Sequence, residues 1–278
     1  MSRTLTRAPL ARIAAAVGVL AVAAGLAGCQ TAASSDYVTD GKLTIATGDP
    51  AYYPYVIDNA PESGEGFEAA VAYAVAEQLG FAAEDVVWVR TGFEEAIAPG
   101  PKDFDFNLQQ YSISDERAES VDFSSPYYAA GQAVITVEGS AAADATSIAD
   151  LKDLLIGAAS GTTSLTAVEE IIQPTAGAQV FNSNDDAKLA LENGQVDAIV
   201  VDVPTAFYIT GVELDGGLIV GSLPAVDGDT DEWGLLLAKD SPLTDEVTAA
   251  VDALREDGTL DALVAEWLGS DAGVAELK

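Results

Sequence analysis

Apolar residues along the chain recur with two periods, and the two kinds of segment alternate. Short runs that alternate in polarity, or are apolar throughout, predict β-strands. These runs are Lys42–Thr47, Val86–Val89, Phe104–Leu108, Ala133–Val137, Leu155–Ala158, Gln179–Asn182, Val196–Val201 and Gly234–Ala238. Between them lie segments with apolar residues on one helical face. The alternation predicts an α/β fold with largely parallel sheet, whose ligands bind at the carboxyl ends of the strands.

The clearest helical segment is Gly66–Leu79, where apolar residues recur every four positions and Gly80 ends the pattern. Ser147 and Ser183 are predicted N-caps of two further helices. The other predicted helices are Phe93–Ala98, a segment from Gly161 to about Ile172, one from about Val203, one from about Thr244, and one from Gly258 to Trp267.

Composition excludes several classes of site. The chain has 278 residues, of which 49% are hydrophobic, so it can bury a sizeable core. It contains no His, which removes imidazole catalysis and the commonest metal ligand. Cys29 is the single Cys, so an intrachain disulfide and a cysteine-based zinc site are both excluded. We therefore expect no metal, no other cofactor and no catalytic residue.

The N-terminus has the pattern of an export signal. Three arginines precede the apolar run Ile13–Leu26, whose 14 residues are too few to cross a bilayer about 30 Å thick. The following Leu-Ala-Gly-Cys sequence resembles a bacterial lipobox. It predicts a signal peptide over residues 1–28, lipid attachment at Cys29, and a polar tether over residues 29–36. The alternative is an ordinary signal peptide followed by an incidental cysteine.

The chain is strongly acidic. Its formal net charge is −33, and loss of the three arginines in residues 1–28 would make it −36. Such a surface repels the phosphates of nucleic acid, so nucleic acid is not an expected partner. The acidity has two open explanations, which are solubility in a salt-rich habitat and attraction of cationic solutes.

One segment carries a resemblance to a known family. Within Asp103–Tyr128 the chain reads SISDER at residues 112–117 and VDFSSPY at residues 121–127. This pair of motifs resembles the bacterial extracellular solute-binding proteins of family 3, which serve importers of polar amino acids. Further similar motifs follow in the family's order: the loop at 47–55, Gly-Phe-Glu at 66–68, Gly-Thr-Thr at 161–163, Gly-Gln-Val-Asp-Ala at 194–198 with Asp202, and Asp-Gly-Thr at 257–259.

The resemblance implies a two-lobe α/β fold of the type II periplasmic-binding-protein kind, with two crossovers between the lobes. The first lobe is expected to comprise residues 37–130 and 233–278, and the second residues 133–228. The crossovers are expected near residues 129–132 and 227–232. Ligands of this family bind between the lobes and close them.

The resemblance also implies a function without catalysis. The expected protein is a monomeric, lipid-anchored solute-binding protein on the outer face of the cytoplasmic membrane. It would pass a polar or basic amino acid to a membrane permease driven by a cytoplasmic ATPase. The alternatives are a binding protein for another solute, such as a compatible solute or an opine, a dehydratase-like periplasmic enzyme, and the sensor part of a receptor.

The ligand's carboxylate and ammonium require opposite charges in the site. Arg117, in the SISDER motif, is the candidate for the carboxylate because a guanidinium offers two parallel donors. The alternative for Arg117 is a surface ion pair with a neighbouring acidic residue. Asp202 follows a buried strand and is the candidate for the ammonium, with helix capping before Pro204 as its alternative.

Other site residues follow from the matched motifs. Thr163 and Thr162 lie at a helix start, where backbone N–H groups attract an anion and where capping is the alternative. Ser112 would add a hydroxyl from the first lobe. The expected aromatic walls are Tyr52 and Phe93, and Asp49 would either contact a cationic side chain or cap its own turn. Gln109 and Gln110 depart from the family pattern, and we expect them to shrink the pocket or add amide contacts.

Overall fold

A computed structural model of the chain describes residues 36–225, 231–269 and 274–278. The predicted signal peptide, Cys29 and residues 29–35 of the predicted tether lie outside the described residues. Residues 227–230 of the second predicted crossover do so as well.

The described residues form two five-stranded sheets. The strands are β1 (Leu43–Gly48), β2 (Val86–Thr91), β3 (Phe106–Asn107), β4 (Val121–Ala130), β5 (Gln132–Val137), β6 (Ile156–Ala159), β7 (Gln179–Phe181), β8 (Ala198–Asp202), β9 (Gly217–Ser222) and β10 (Asp231–Ala238). The first sheet has the order β2-β1-β3-β10-β4, and the second has the order β7-β6-β8-β5-β9.

Helices cover the sheets. They are α1 (Phe67–Gln78), α2 (Phe93–Ile97), α3 (Asp115–Ala118), α4 (Ile148–Leu151), α5 (Thr163–Ala167), α6 (Asn184–Glu192), α7 (Val203–Tyr208), α8 (Thr244–Glu256) and α9 (Thr259–Trp267). A π-helical turn continues α5 over Val168–Ile172, and another continues α7 over Ile209–Glu213. In the part of the chain that the structure describes, no helix has the length and apolar character needed to cross a membrane.

Each sheet has its own core, which confirms the two-lobe α/β prediction. In the first lobe, Leu43 and Ile45 of β1 pack with Phe67 and Val71 of α1, and all four are fully buried. The second sheet separates two clusters, one around Ile135 and Ile199 and one that includes Ile156 and Val200.

The prediction of largely parallel sheets was wrong for half of the strand pairs. In the first sheet β1 is parallel to β2 and β3, but β10 is antiparallel to β3 and β4. The second sheet likewise has β6 parallel to β7 and β8, with β5 antiparallel to β8 and β9. The antiparallel pairs arise because β4 leads out of the first lobe, β5 enters the second, and β10 returns beside β4.

Two strands had no predicted counterpart. β4 contains Pro126 and two serines, a composition that does not suggest a strand interior, and its ladder with β10 is interrupted by register shifts beside Gly234. β9 begins with Gly217 and also contains Gly221, so its apolar run is short. Proline and serine in β4 and glycine in β9 interrupt the strand-forming residues, and pairing with a neighbouring strand inside the sheet stabilises both segments.

The last residues of the sequence contact the second lobe, whereas the prediction placed them in the first. The backbone N–H of Ser222 donates to the carbonyl of Ala275 over 3.0 Å, and that of Leu277 donates to Ser222 over 2.9 Å. Leu277 is 4% exposed and belongs to the second lobe's core. A Cβ on Gly221 would lie 2.7 Å from the Ala275 carbonyl oxygen, so glycine makes room for this segment. The hydrophobic pattern of residues 274–278 is too short to indicate which lobe they contact.

Candidate functional site

A cavity of about 420 Å³ lies between the two lobes. The carboxyl ends of the parallel strands line it, with Gly48 from β1 and Thr91 from β2 on one side and Ala159 from β6 and Asp202 from β8 on the other. Ligands of doubly wound sheets bind at this end of the strands. The volume falls in the usual range for a small-molecule site, roughly 300–1,000 Å³.

Arg117 is the one cationic side chain lining the cavity within the described residues. It lies on α3, whose N-cap Ser114 accepts a hydrogen bond from the Arg117 backbone N–H. One Nη donates to the carbonyl of Ser112 over 2.6 Å, and the other donates to that of Gly161 in the second lobe over 2.8 Å. The guanidinium carbon lies 5.5 Å from the centre of the Phe93 ring, within cation–π range.

The alternative interpretation of Arg117 as a surface ion pair is not supported. None of the ion pairs among the described residues includes Arg117. Its bonds go to neutral carbonyl oxygens, and burial lowers its pKa from the ordinary value. A charge held in this way retains its attraction for an anion that enters the cavity.

Asp202 ends β8 and does not cap α7. It occupies the N-cap position, but its side chain makes no capping hydrogen bond. Its Oδ1 instead accepts from Nε2 of Gln132 over 2.7 Å. Burial, and next the charge of Asp231, raise the pKa of Asp202 to about 7. A cationic ligand group beside Asp202 would lower this pKa, because an opposite charge favours the ionised carboxylate.

Gln132 connects this carboxylate to the crossovers, and the sequence analysis did not identify it. It is the first residue of β5, and its Nε2 donates to Asp231 as well as to Asp202. Its Oε1 accepts from the hydroxyl of Ser164 over 2.6 Å. A glutamine at a strand start has no distinguishing sequence signal, so this role is visible only in three dimensions.

The two threonines at the start of α5 have different roles. Thr162 is the N-cap: its hydroxyl accepts from the backbone N–H of Leu165 and donates to the carbonyl of Ala159. Its side chain is therefore occupied, although the residue lines the cavity. The Thr163 hydroxyl lies 3.3 Å from that of Ser112, so these two predicted residues meet across the cleft.

The predicted aromatic residues line the cavity. Phe93 stacks on Tyr111 with ring centres 4.7 Å apart. Tyr52 faces Ser183 and Asp185 of the second lobe, and burial, and next the charge of Asp185, raise its pKa to about 12. Tyr52 therefore forms part of the contact between the lobes in addition to the cavity wall.

Gln109 and Gln110 both line the cavity, but their amide nitrogens donate to other groups of the protein. The Gln109 Nε2 donates to the side chain of Asn107 over 3.2 Å. Gln110 donates its backbone N–H and its Nε2 to Glu68, which also accepts from Tyr127. Burial raises the pKa of Glu68 to about 7, and these three hydrogen bonds oppose the shift. The expected amide contacts are thus to the protein itself.

Several lining residues were not identified from the sequence. Besides the predicted and exposed Asp49, the cavity is lined by Glu94, Glu95 and Asn184. Glu94 and Glu95 lie on the short helix α2, and Asn184 is the first residue of α6. Acidic and amide residues in first helical turns are common for capping reasons alone, so their type gave no signal.

The lobes contact each other around the cavity. The Tyr55 hydroxyl lies 2.8 Å from that of Thr205, and Ser160 donates to Oε1 of Glu94 over 2.6 Å. The Tyr53 and Tyr208 rings stack with centres 4.4 Å apart. The structure therefore shows the cleft closed, and among the described residues one cation from the first lobe and the partly buried carboxylate of Asp202 from the second line it. This arrangement can hold a small zwitterion.

Comparison with known proteins agrees with this geometry. The family profile of bacterial extracellular solute-binding proteins, family 3, matches residues 43–270. The glutamate-binding protein GluB of Corynebacterium glutamicum is 29% identical over 234 residues, covering 78% of this chain and 76% of the relative. The L-cystine-binding protein TcyJ of Escherichia coli K12 is 29% identical over 265 residues, covering 92% of this chain and 96% of the relative.

Solved structures show the same two-lobe fold. An ancestral arginine-binding protein bound to glutamine superposes with a TM-score of 0.69 at 28% identity, and the match covers 84% of this chain and all of that one. The similar proteins thus differ in the amino acids that their names record, while the fold is shared.

Proposed function

Because the chain belongs to the bacterial extracellular solute-binding proteins, family 3, we propose that its cleft captures a polar or basic amino acid. The chain is an amino-acid-binding protein of an importer and not an enzyme.

The observation that carries the proposal is the pairing of Arg117 with Asp202 across the cleft. Arg117 lies in the first lobe and Asp202 in the second, and both line one cavity. A ligand carboxylate would contact Arg117, Ser112 and Thr163, while its ammonium would contact Asp202. A ligand favours a conformation only through contacts that differ between the states, and a zwitterion that contacts both lobes favours the closed one.

The proposal is tested by calorimetric titration of the purified protein with each of the twenty amino acids. Ligand carried over from expression is first removed by unfolding and refolding. We expect tight binding of one amino acid or a few of similar chemistry. A folded, ligand-free protein that gives no heat with any of them would refute the amino-acid assignment and direct the search to other solutes.

The proposed partners are a membrane permease and its ATPase, which the family membership supports. We assign residues 37–130 and 233–269 to the first lobe, and residues 133–225 and 274–278 to the second, on the contacts described above. The protein would act as a monomer on the outer face of the cytoplasmic membrane, held there by lipid on Cys29.

The lipid anchor predicts a change in location for Cys29→Ala. Without the thiol no diacylglycerol can be attached, and a single lipid chain already supplies about 0.8 kcal/mol of membrane affinity per buried CH₂. We expect the variant to move from the membrane fraction to the soluble exported fraction, with ligand affinity unchanged. A variant that stays in the membrane fraction would contradict the anchor at Cys29.

A further inference from the structure

The cavity lining has an excess of negative charge that an amino acid's own carboxylate and ammonium do not balance. Arg117 and Asp202 are matched to those two groups. Glu68 also lines the cavity, but it already accepts hydrogen bonds from Gln110 and Tyr127. Asp49, Glu94 and Glu95 then remain, and among the described residues the cavity lining offers no second cation to oppose them. An acidic ligand side chain would meet like charges here, whereas a cationic one would neutralise part of them.

Asn184 adds a feature that is independent of charge. Its Oδ1 is completely buried, and no donor among the described residues reaches it, although the residue lines the cavity. A buried acceptor without a donor is unfavourable and rare. Asn184 begins α6, where Ser183 already supplies the cap, so its amide is not needed to satisfy the helix. A donor on the ligand would satisfy this oxygen once the Asn184 side chain turns toward the cavity that it lines.

Glu94 is held in place by the opposite lobe. Its Oε1 accepts from the hydroxyl of Ser160, while its Oε2 has no hydrogen-bond partner among the described residues. Gly161 lies in the turn whose carbonyl accepts a hydrogen bond from Arg117. Glycine leaves room there for Glu94, because a Cβ on Gly161 would lie 3.3 Å from Oε1 of Glu94. The carboxylate is thus positioned by closure, with one oxygen left to accept from a ligand.

The amides of Gln109 and Gln110 contribute acceptors as well. Their side-chain nitrogens donate to Asn107 and Glu68, so it is the side-chain oxygens that remain to accept hydrogen bonds from a ligand. The residues that line the cavity therefore carry oxygen acceptors on these two amides, on Glu94 and on Asn184. Lysine ammonium and arginine guanidinium groups carry a positive charge together with several hydrogen-bond donors and no acceptor.

We infer that the ligand carries a cationic side chain with only hydrogen-bond donors, and that Glu94 and Asn184 determine this specificity by contacting it. The inference rests on the proposed function, since it presumes that the amino-acid backbone is held by Arg117 and Asp202. The chemistry is shared by lysine and arginine, and the titration separates them.

The test compares arginine with citrulline, which has the same length but a neutral urea group in place of the guanidinium. The full chain, freed of ligand, is titrated with arginine, lysine, citrulline, glutamine and glutamate. We expect arginine or lysine to bind about 10-fold to 100-fold more tightly than citrulline and glutamine, with glutamate weakest. The preference should decrease with added salt, because part of it is Coulombic.

Variants then assign the preference to residues. Glu94→Gln and Asn184→Ala should each reduce the ratio of arginine to citrulline affinity about 10-fold, whereas Asn184→Asp should increase it. Glu95→Gln is the matched control: it removes the same charge from the same helix, but that carboxylate accepts from the backbone N–H of Gly92 in its own helix cap and not from the second lobe. We expect its effect to be smaller than that of Glu94→Gln.

The outcomes separate the inference from the proposed function. Tighter binding of glutamine, citrulline or glutamate than of lysine and arginine would overturn the inference and leave the amino-acid function standing. If Glu94→Gln and Glu95→Gln have equal effects and Asn184→Ala has none, the preference for a cationic side chain arises from long-range electrostatics. In that case neither Glu94 nor Asn184 determines the specificity by contact. No binding of any amino acid would refute the proposed function itself.

Discussion

Replacing Arg117 with alanine is expected to weaken ligand binding by about 2–5 kcal/mol, roughly 30-fold to several-thousand-fold in Kd. The loss is large because the ligand carboxylate would be buried without its cation. Arg117→Lys should recover only part of it, since an ammonium keeps the charge but loses the planar pair of donors. Calorimetric titration of the three proteins with the tightest amino acid measures these differences.

A control is needed because removing any positive charge from so acidic a chain alters its electrostatic potential. Arg255→Ala removes the same charge from α8, where Arg255 is 44% exposed and pairs with Asp252 outside the cavity. We expect Arg255→Ala to change Kd by less than about threefold, since exposed pairs contribute about 1 kcal/mol or less. An Arg117→Ala protein that is folded and binds as tightly as the parent would remove Arg117 from the site.

The loss at Arg117 also bears on closure. Its two Nη groups donate to carbonyls in different lobes, so the side chain links Ser112 to Gly161 even before a ligand carboxylate is considered. The variant would therefore be more open as well as weaker in binding. Small-angle scattering of ligand-free Arg117→Ala should show a larger radius of gyration than that of the parent.

The elements that the sequence predicted well are those whose local pattern and tertiary environment agree. Helix α1 follows its four-residue apolar spacing, and Phe67, Val71 and Val75 are fully buried as expected. The Ser183 cap is also found, with its hydroxyl accepting from Asp186. The strands β4 and β9 were missed because their stability comes from partners distant in sequence.

The same distinction divides the site. Arg117 and Asp202 could be identified because a family motif or the end of a buried strand marks each of them. Gln132 and Asn184 could not, because their roles depend on atoms distant in the sequence: Gln132 reaches Asp231, 99 residues away, and Asn184 borders a cavity formed by both lobes. Residue type alone is ambiguous for amides, which serve caps, turns and ligands equally well.

Asp202→Asn is expected to have opposite effects on stability and on binding. The pKa of Asp202 in the folded protein is raised to about 7, whereas an unfolded aspartate titrates near about 3.9. The folded state therefore binds this proton more tightly than the unfolded state. As the pH rises through this interval, ionisation of Asp202 costs the ligand-free protein stability.

Asparagine removes that cost while it keeps an oxygen for the Gln132 amide. At pH 8 the ligand-free variant should be more stable than the parent by on the order of 1–3 kcal/mol, and near pH 4 the two should be similar. Urea unfolding at both pH values measures the difference. Asp103→Asn, which changes an exposed carboxylate, is the control and should shift neither midpoint appreciably.

Binding should change in the opposite direction, because the ligand's ammonium needs the ionised carboxylate. We expect Asp202→Asn to weaken binding by about 2 kcal/mol or more at pH 8. The parent should lose affinity as the pH falls below about 7, and the variant should not show this pH dependence.

If the variant is more stable at pH 8 but binds the ligand as tightly as the parent, the carboxylate of Asp202 has no role in recognition. Reduced stability together with weak binding would instead mean that Asp202 is held for its structural hydrogen bonds. Higher stability together with weaker binding is the one combination that identifies Asp202 as a charged group of this kind: its ionisation destabilises the ligand-free protein, and the ligand's ammonium neutralises it.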